Sequence, residues 1–421
     1  MKMETHMHNY NQTLLPNKMT LVTITKPGQL FSLNLGIKVG SLNESLEEKG
    51  ISHFIEHMLF KGTVHEDNEE LNRSIEMLGG DFNAFTDYIS TVFTVSALRE
   101  ELDSSLRILQ DMLLYPAFTP EEMEKERGVI LSELRSSLDD PEEISHRSLF
   151  FKAYEKSPLK YDVIGLHKTI SRFTPGDLQA FHHKHYIPNN AVLVLISELS
   201  DEEALKLVTG YFGQWEEGRV EKNAYTFEKN KPGFHTTTKD IEQSTLSLLY
   251  SFKVSEKEKL PLRVLNFKLG QSGNSILFRE LREKRGLVYD VYSDLDLTEN
   301  IHNLIIYTQV ADESLDMAMD VIVDILEDIK RKAYFHPLDL EVMKKVMKTS
   351  IYGTLENIHD LSSFILEEIL NNEDPMDFQK DLLRLEEVTL DDIVEVAKKI
   401  FNGPTVFKLR SDSHADHHTN Q

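Results

Sequence analysis

The 421-residue chain contains no cysteine. Disulfides are excluded, and so are thiolate zinc sites and cysteine nucleophiles; any metal must be held by His, Asp or Glu. The absence fits a reducing cytoplasm. No apolar run approaches the roughly 20 residues that a membrane helix needs. Met1 to Gln12 is polar and lacks an apolar signal core, which predicts no cleaved export signal. Basic residues are scarce, 46 against 70 acidic, giving a net charge of −24. A polyanion of this size repels nucleic acid and anionic membranes, so neither is expected as a partner. Acidity that lined an interior would instead attract basic peptides.

What is present suits sizeable cores: 40% hydrophobic residues, with 22 Phe and 14 Tyr. The length predicts two or more domains. The chain is organised around Gly50 to Thr63, where His53, Glu56 and His57 stand in the spacing H-x-x-E-H. Ile51, Phe54, Ile55, Met58 and Leu59 recur at helical spacing, predicting a buried helix with both histidines and the carboxylate on one face. Two imidazoles one turn apart can reach one metal ion, and Glu56 can hold a water on it.

Around this helix the pattern alternates. Strands are predicted at Met19–Thr25, Phe31–Val39 and Asn190–Ile196, and across Asp81–Leu98 with a turn near Asp87-Tyr88. Helices are predicted from Glu100 to Leu114, Pro120 to Leu138, Ile144 to Tyr154 and Thr174 to Tyr186, and again from Pro261 to Leu269. Two local matches point to duplication. Phe118-Thr119-Pro120 returns as Phe335-His336-Pro337, and Thr174-Pro175-Gly176-Asp177 returns, at nearly the same offset, as Thr389-Leu390-Asp391-Asp392. The predicted organisation is two copies of one α+β domain, 1–217 and 233–410, joined by a charged linker, 218–232. A disordered tail, 411–421, carries His414, His417 and His418.

A catalytic zinc takes three protein ligands and keeps one position open. The third is sought among Glu124, Glu126 and Glu133 on the helix after Pro120. Glu126 and Glu133 are seven residues apart and share a face, and spacing does not choose between them.

Gly50 to Thr63, with Leu78-Gly79-Gly80, Asn83-Ala84-Phe85-Thr86 and Glu124 to Glu133, closely resembles the pitrilysin-type zinc peptidases. The match is best to the short branch that includes the mitochondrial processing peptidase and its bacterial relatives, and it covers essentially the whole chain. The resemblance implies two tandem α+β domains, each a mainly antiparallel sheet with helices, forming half of a clamshell. It implies one zinc ion per chain on His53, His57 and Glu133, the last standing as far beyond the second histidine as the family's third ligand does. Glu126 becomes a supporting carboxylate and Glu56 the general base. Asn83, Ala84, Phe85 and Thr86 form an edge strand that pairs with substrate. Arg282 and Tyr289, seven apart, match the motif that holds the substrate carbonyl and the oxyanion. Since the zinc and Arg/Tyr walls face each other across two chains in short members, a homodimer is implied, with Arg282 and Tyr289 acting in trans. The activity implied is endopeptidase cleavage of unfolded or presequence-like peptides in an enclosed chamber, in a bacterial cytoplasm. A catalytically silent partner subunit is the alternative.

Overall fold

A computed structural model describes residues 10–221, 225–335 and 337–412. The three tail histidines, His336 and Met1 to Asn9 lie outside them. Ser411 and Asp412, counted with the tail from sequence, are described, and Ser411 ends a strand. Its backbone N–H donates to Ser244 Oγ and its hydroxyl to the Ile241 carbonyl.

The chain forms two compact α+β units. In the first, the strands are β1 (Tyr10–Leu14), β2 (Thr20–Thr25), β3 (Leu30–Ile37), β4 (Asp81–Thr86), β5 (Thr91–Leu98) and β6 (Ala191–Ser197). Their order is β1-β2-β6-β3-β5-β4, with only β2 and β6 parallel. In the second, β7 (Gly233–Lys239), β8 (Ser244–Ser251), β9 (Val288–Asp296), β10 (Asn303–Val310) and β11 (Thr405–Ser411) stand in the order β7-β11-β8-β10-β9. Here only β7 and β11 are parallel. Beyond the extra β1, the layouts coincide strand for strand, and β4 and β9 occupy the same edge. The duplication read from the two sequence matches is thus a duplication of fold.

Among the helices covering these sheets are α1 (Ile51–Leu59), α2 (Pro120–Ser137), α3 (Pro141–Ala153), α4 (Pro175–His185), α5 (Glu256–Asn266) and α6 (Ile358–Leu370). The units are not contiguous halves of the sequence. The first draws on Met1–Leu134, Asp162–Ala224 and Ile351–Pro375, the second on Arg135–Tyr161, Tyr225–Ser350 and Met376–Gln421. Each therefore takes one helix from the other half. Helix α6 lies on the first sheet, where Ser362 Oγ meets Ser32 Oγ at 2.6 Å and a Cβ on Gly36 would come within 3.1 Å of Leu366 and Leu370. This second cover explains why every residue of β6 is buried and why the strand is apolar from Ala191 to Ile196. Helix α3 lies on the second sheet, with Ser145 Oγ 2.5 Å from Thr245 Oγ1.

Sequence reading assigned no element to α6, and it placed the start of α5 at Pro261. The helix begins five residues earlier, because Ser255 and Glu258 form a capping box: the Ser255 N–H and hydroxyl both donate to Glu258 Oε2, at 2.7 and 2.8 Å. Pro261 sits inside the helix and forfeits one backbone bond there.

On α4, His182 and His185 are buried. The His182 Nε2–H donates to the Leu113 carbonyl at 3.0 Å. Burial holds His182 down at about 3, and burial with the nearby Lys184 charge holds His185 at about 4. Unfolded, both take up protons from about pH 6.5 downward. Their contribution is therefore complete above that pH and is lost as pH falls toward 4, at roughly 1–3 kcal/mol per histidine. The urea midpoint should fall between about pH 7 and about pH 5. An unchanged midpoint would mean that both take up protons in the fold as readily as in the unfolded chain.

Candidate metal centre

Helix α1 starts at Gly50, whose φ of +94 suits a residue without a Cβ; an added Cβ would also lie 2.5 Å from the Ile164 carbonyl oxygen. The helix N-terminus is held by Glu44, which accepts the N–H groups of Gly50 and Ser52, each at 2.9 Å. Burial pushes the Glu44 carboxyl up to about 7, against the pull of Lys49 and these N–H groups. Lys49 is buried beside it and donates to the Ser41 carbonyl at 2.6 Å. Sequence reading passed over both residues as part of a polar loop, since Glu44 lies too far upstream to register as a cap.

The buried apolar face of α1 turns His53 and His57 to one side, and their Nε2 atoms stand 3.2 Å apart. Glu133 on α2 completes the group: Oε1 is 3.7 Å from His53 Nε2, and Oε2 is 3.7 Å from His57 Nε2. Among the described residues this is the one group of three or more His or carboxylate side chains that could hold a metal ion. Ligands bonded tetrahedrally to zinc lie about 3.4 Å apart, so the donor spacing fits that ion. Glu133 is the most open of the three, with its side chain 42% exposed, which leaves a side for water and substrate.

His53 is held neutral, and His57 is oriented by a carboxylate, as ligation requires. Burial, then the His57 charge, holds His53 at about 4, so its imidazole is neutral. The His57 Nδ1–H donates to Glu126 Oε1 at 2.8 Å, which fixes the tautomer and aims the Nε2 lone pair at His53 and Glu133. Burial opposes charge on His57, but the carboxylates of Glu126, Glu56 and Glu133 outweigh it, and its pKa rises. Lys61 lies 2.9 Å from Glu126 Oε2. Burial would raise the Glu126 pKa, but His57 and Lys61 hold it below the usual range and the carboxylate stays ionised. Lys61 is one turn beyond His57, a position that sequence reading did not single out. Glu124, the other carboxylate considered, turns outward to Arg127.

Glu56 faces the same side of α1. Its Oε2 accepts the Thr86 hydroxyl at 2.7 Å. Burial, with Glu133 adding to it, raises its pKa above the ordinary carboxylate value against the Thr86 bond and the His57 charge. Thr86 closes β4, the edge strand that also carries Asn83, Ala84 and Phe85. Ala84 and Thr86 turn toward the helices, Asn83 and Phe85 toward the open face, and Phe85 is 49% exposed. One side of β4 pairs with β5, and among the described residues no strand lies beside the other.

In the second unit, Arg282 lies on a π-helical turn, Phe278–Glu283, and its guanidinium stacks 4.8 Å from the Phe278 ring and 4.9 Å from the Tyr289 ring. Glu280, buried in the same turn, draws in Lys284 at 2.6 Å and Arg285 at 2.9 Å. Tyr289, on edge strand β9, is 73% exposed.

Residues 20–166 match the family described as Insulinase (Peptidase family M16), and residues 172–347 that described as Peptidase M16 inactive domain. The uncharacterized zinc protease YmxG of Bacillus subtilis is 33% identical over 337 residues, which cover 79% of this chain and 81% of that protein. The chain belongs to peptidase family M16. A solved protease structure from Helicobacter pylori matches this M16 fold with a TM-score of 0.90 at 22% identity, over 95% of this chain and 99% of that one. The periplasmic protease PqqL from Escherichia coli matches with a TM-score of 0.76 at 21% identity, over 96% of this chain but 47% of its own. Among the described residues the second unit offers no such metal group: α5, which follows β8 as α1 follows β3, contains no histidine. No helix among the described residues is long and apolar enough to cross a membrane.

Proposed function

We propose that this M16 chain is a zinc-dependent endopeptidase that cleaves unfolded, presequence-like peptides in an enclosed chamber, as a homodimer whose partner copy supplies Arg282 and Tyr289. The reading is carried by the convergence of His53, His57 and Glu133 beside the carboxylate of Glu56. Zinc, when bound, supplies a Lewis acid that acidifies water and polarises a carbonyl. Glu56 takes the proton of the attacking water and returns it to the leaving amine. An extended peptide adds to the free edge of β4 through its main chain, so the strand reads backbone more than side chain. Arg282 and Tyr289 donate to the oxyanion. Their exposure supports a role outside their own unit, as does the match of this chain to about half the length of PqqL. The net charge of −24 favours basic peptides.

The test is cleavage of a quenched fluorescent peptide by purified protein, with chelator and with zinc restored. Cleavage should stop with the chelator and return with the metal. Cleavage that ignores the chelator overturns the reading. So does a zinc-loaded protein that binds peptides without cutting them, which would be the silent subunit.

Glu126 is expected to act only through His57. Replacing it with alanine should weaken zinc binding about 10–100-fold, as loss of such an orienting carboxylate does. Competition with a chromophoric chelator measures this. Unchanged affinity would show that the His57 tautomer is fixed elsewhere.

A further inference from the structure

We propose that Thr86 is a positioning residue for the general base, through which the peptide-pairing strand sets the carboxylate of Glu56; this rests on the endopeptidase reading above. Thr86 has one hydroxyl proton and two oxygen neighbours. Glu56 Oε2 is at 2.7 Å and Thr91 Oγ1 at 3.5 Å. The Thr91 hydroxyl is already given to the Val39 carbonyl, at 2.9 Å. The Thr86 proton therefore goes to Glu56, the closer neighbour and a pure acceptor. That bond occupies Oε2 and leaves Oε1 as the oxygen free to work as base.

The contact also ties strand to helix. Side chains of β4 alternate, and Phe82, Ala84 and Thr86 share the inner face. Phe82 packs edge-on against Phe60, with ring centroids 5.8 Å apart, four residues along each element from the Thr86–Glu56 bond. The strand is thus fastened to the end of α1 at two points, one apolar and one polar. A peptide seated on the free edge of β4 settles the same strand whose last residue holds the base. Threonine suits this, because its β-branch restricts χ1 and so fixes where the hydroxyl points.

Steady-state kinetics on the zinc-loaded protein separates this role from mere strand support. Thr86→Val keeps the shape and removes the donor. It should lower kcat about tenfold with KM within about twofold of wild type and zinc affinity unchanged. Thr86→Ser, which keeps the donor, should recover most of the rate. A Thr86→Val enzyme with wild-type kcat overturns the proposal. So does a loss confined to KM that serine does not repair, which would make Thr86 only a part of the strand. If the wild-type protein itself cleaves no peptide, the failure lies with the endopeptidase reading, and zinc binding by the variants is unaffected by that outcome.

Discussion

Glu56→Gln should lower peptide hydrolysis by about 10²–10⁴-fold and leave zinc bound. The amide has the size of the carboxylate, and its oxygen can still accept the Thr86 hydroxyl, so the local fold survives. What it cannot do is take a proton. Glu56 is suited to the task because burial, with Glu133 close by, raises its pKa above the ordinary carboxylate value. A carboxylate raised in this way is a stronger base than an ordinary one and keeps an accepted proton better until it is delivered. None of the metal-binding atoms is Glu56's, since the donors that converge are His53, His57 and Glu133. Zinc content by elemental analysis should therefore match the wild type while cleavage collapses. A variant that kept a tenth or more of the rate would remove Glu56 from the role of base. One that lost zinc along with activity would show that its carboxylate holds the metal helix in shape.

How much of this was legible in the sequence depended on how local each signal is. The H-x-x-E-H helix announces itself, since one apolar face and three polar groups within five residues fix both the element and the side its ligands share. Glu133 lies far along the chain on another helix, and helical spacing alone left it level with Glu126. The fold separates them: Glu133 faces both Nε2 atoms, whereas Glu126 reaches His57 from behind at Nδ1. Lys61 and Glu44 carried no sequence signal, because a lysine after a helix and an acid in a loop are usually solvated. Their partners come from elsewhere in the fold: Lys61 meets Glu126 on another helix, and Glu44 caps a helix that begins seven residues later. The exchange of α3 and α6 between the units was hidden for a similar reason. Amphipathic pattern tells which face of a helix is buried and says nothing about which sheet buries it. The apolar run of β6 from Ala191 to Ile196 was the one trace, since a strand covered on both faces needs two helix layers.

Mixing Glu56→Gln protein with Arg282→Ala protein should restore activity that neither has alone. In a homodimer with trans sites, each site joins the metal helix of one copy to the Arg282 of the other. A mixed dimer then holds one site with both defects and one with none, because the Arg282→Ala copy brings an intact Glu56 and the Glu56→Gln copy an intact Arg282. Random exchange makes about half the dimers mixed, so recovery should approach about a quarter of the wild-type rate. If both residues came from one copy, every site would keep a defect and nothing would return. The Arg282 partner fits the test, because its guanidinium is held by the rings of Phe278 and Tyr289, while buried Glu280 takes up Lys284 and Arg285. The cation is thus positioned by stacking, and among the described residues no carboxylate pairs with it to hold it back from an oxyanion. Truncating it to alanine removes that donor and leaves the ion pairs of Glu280 in place, so loss of activity would not reflect a collapsed turn. Recovery that rises with time of mixing, as subunits exchange, supports trans sites, and its absence after confirmed exchange rejects them.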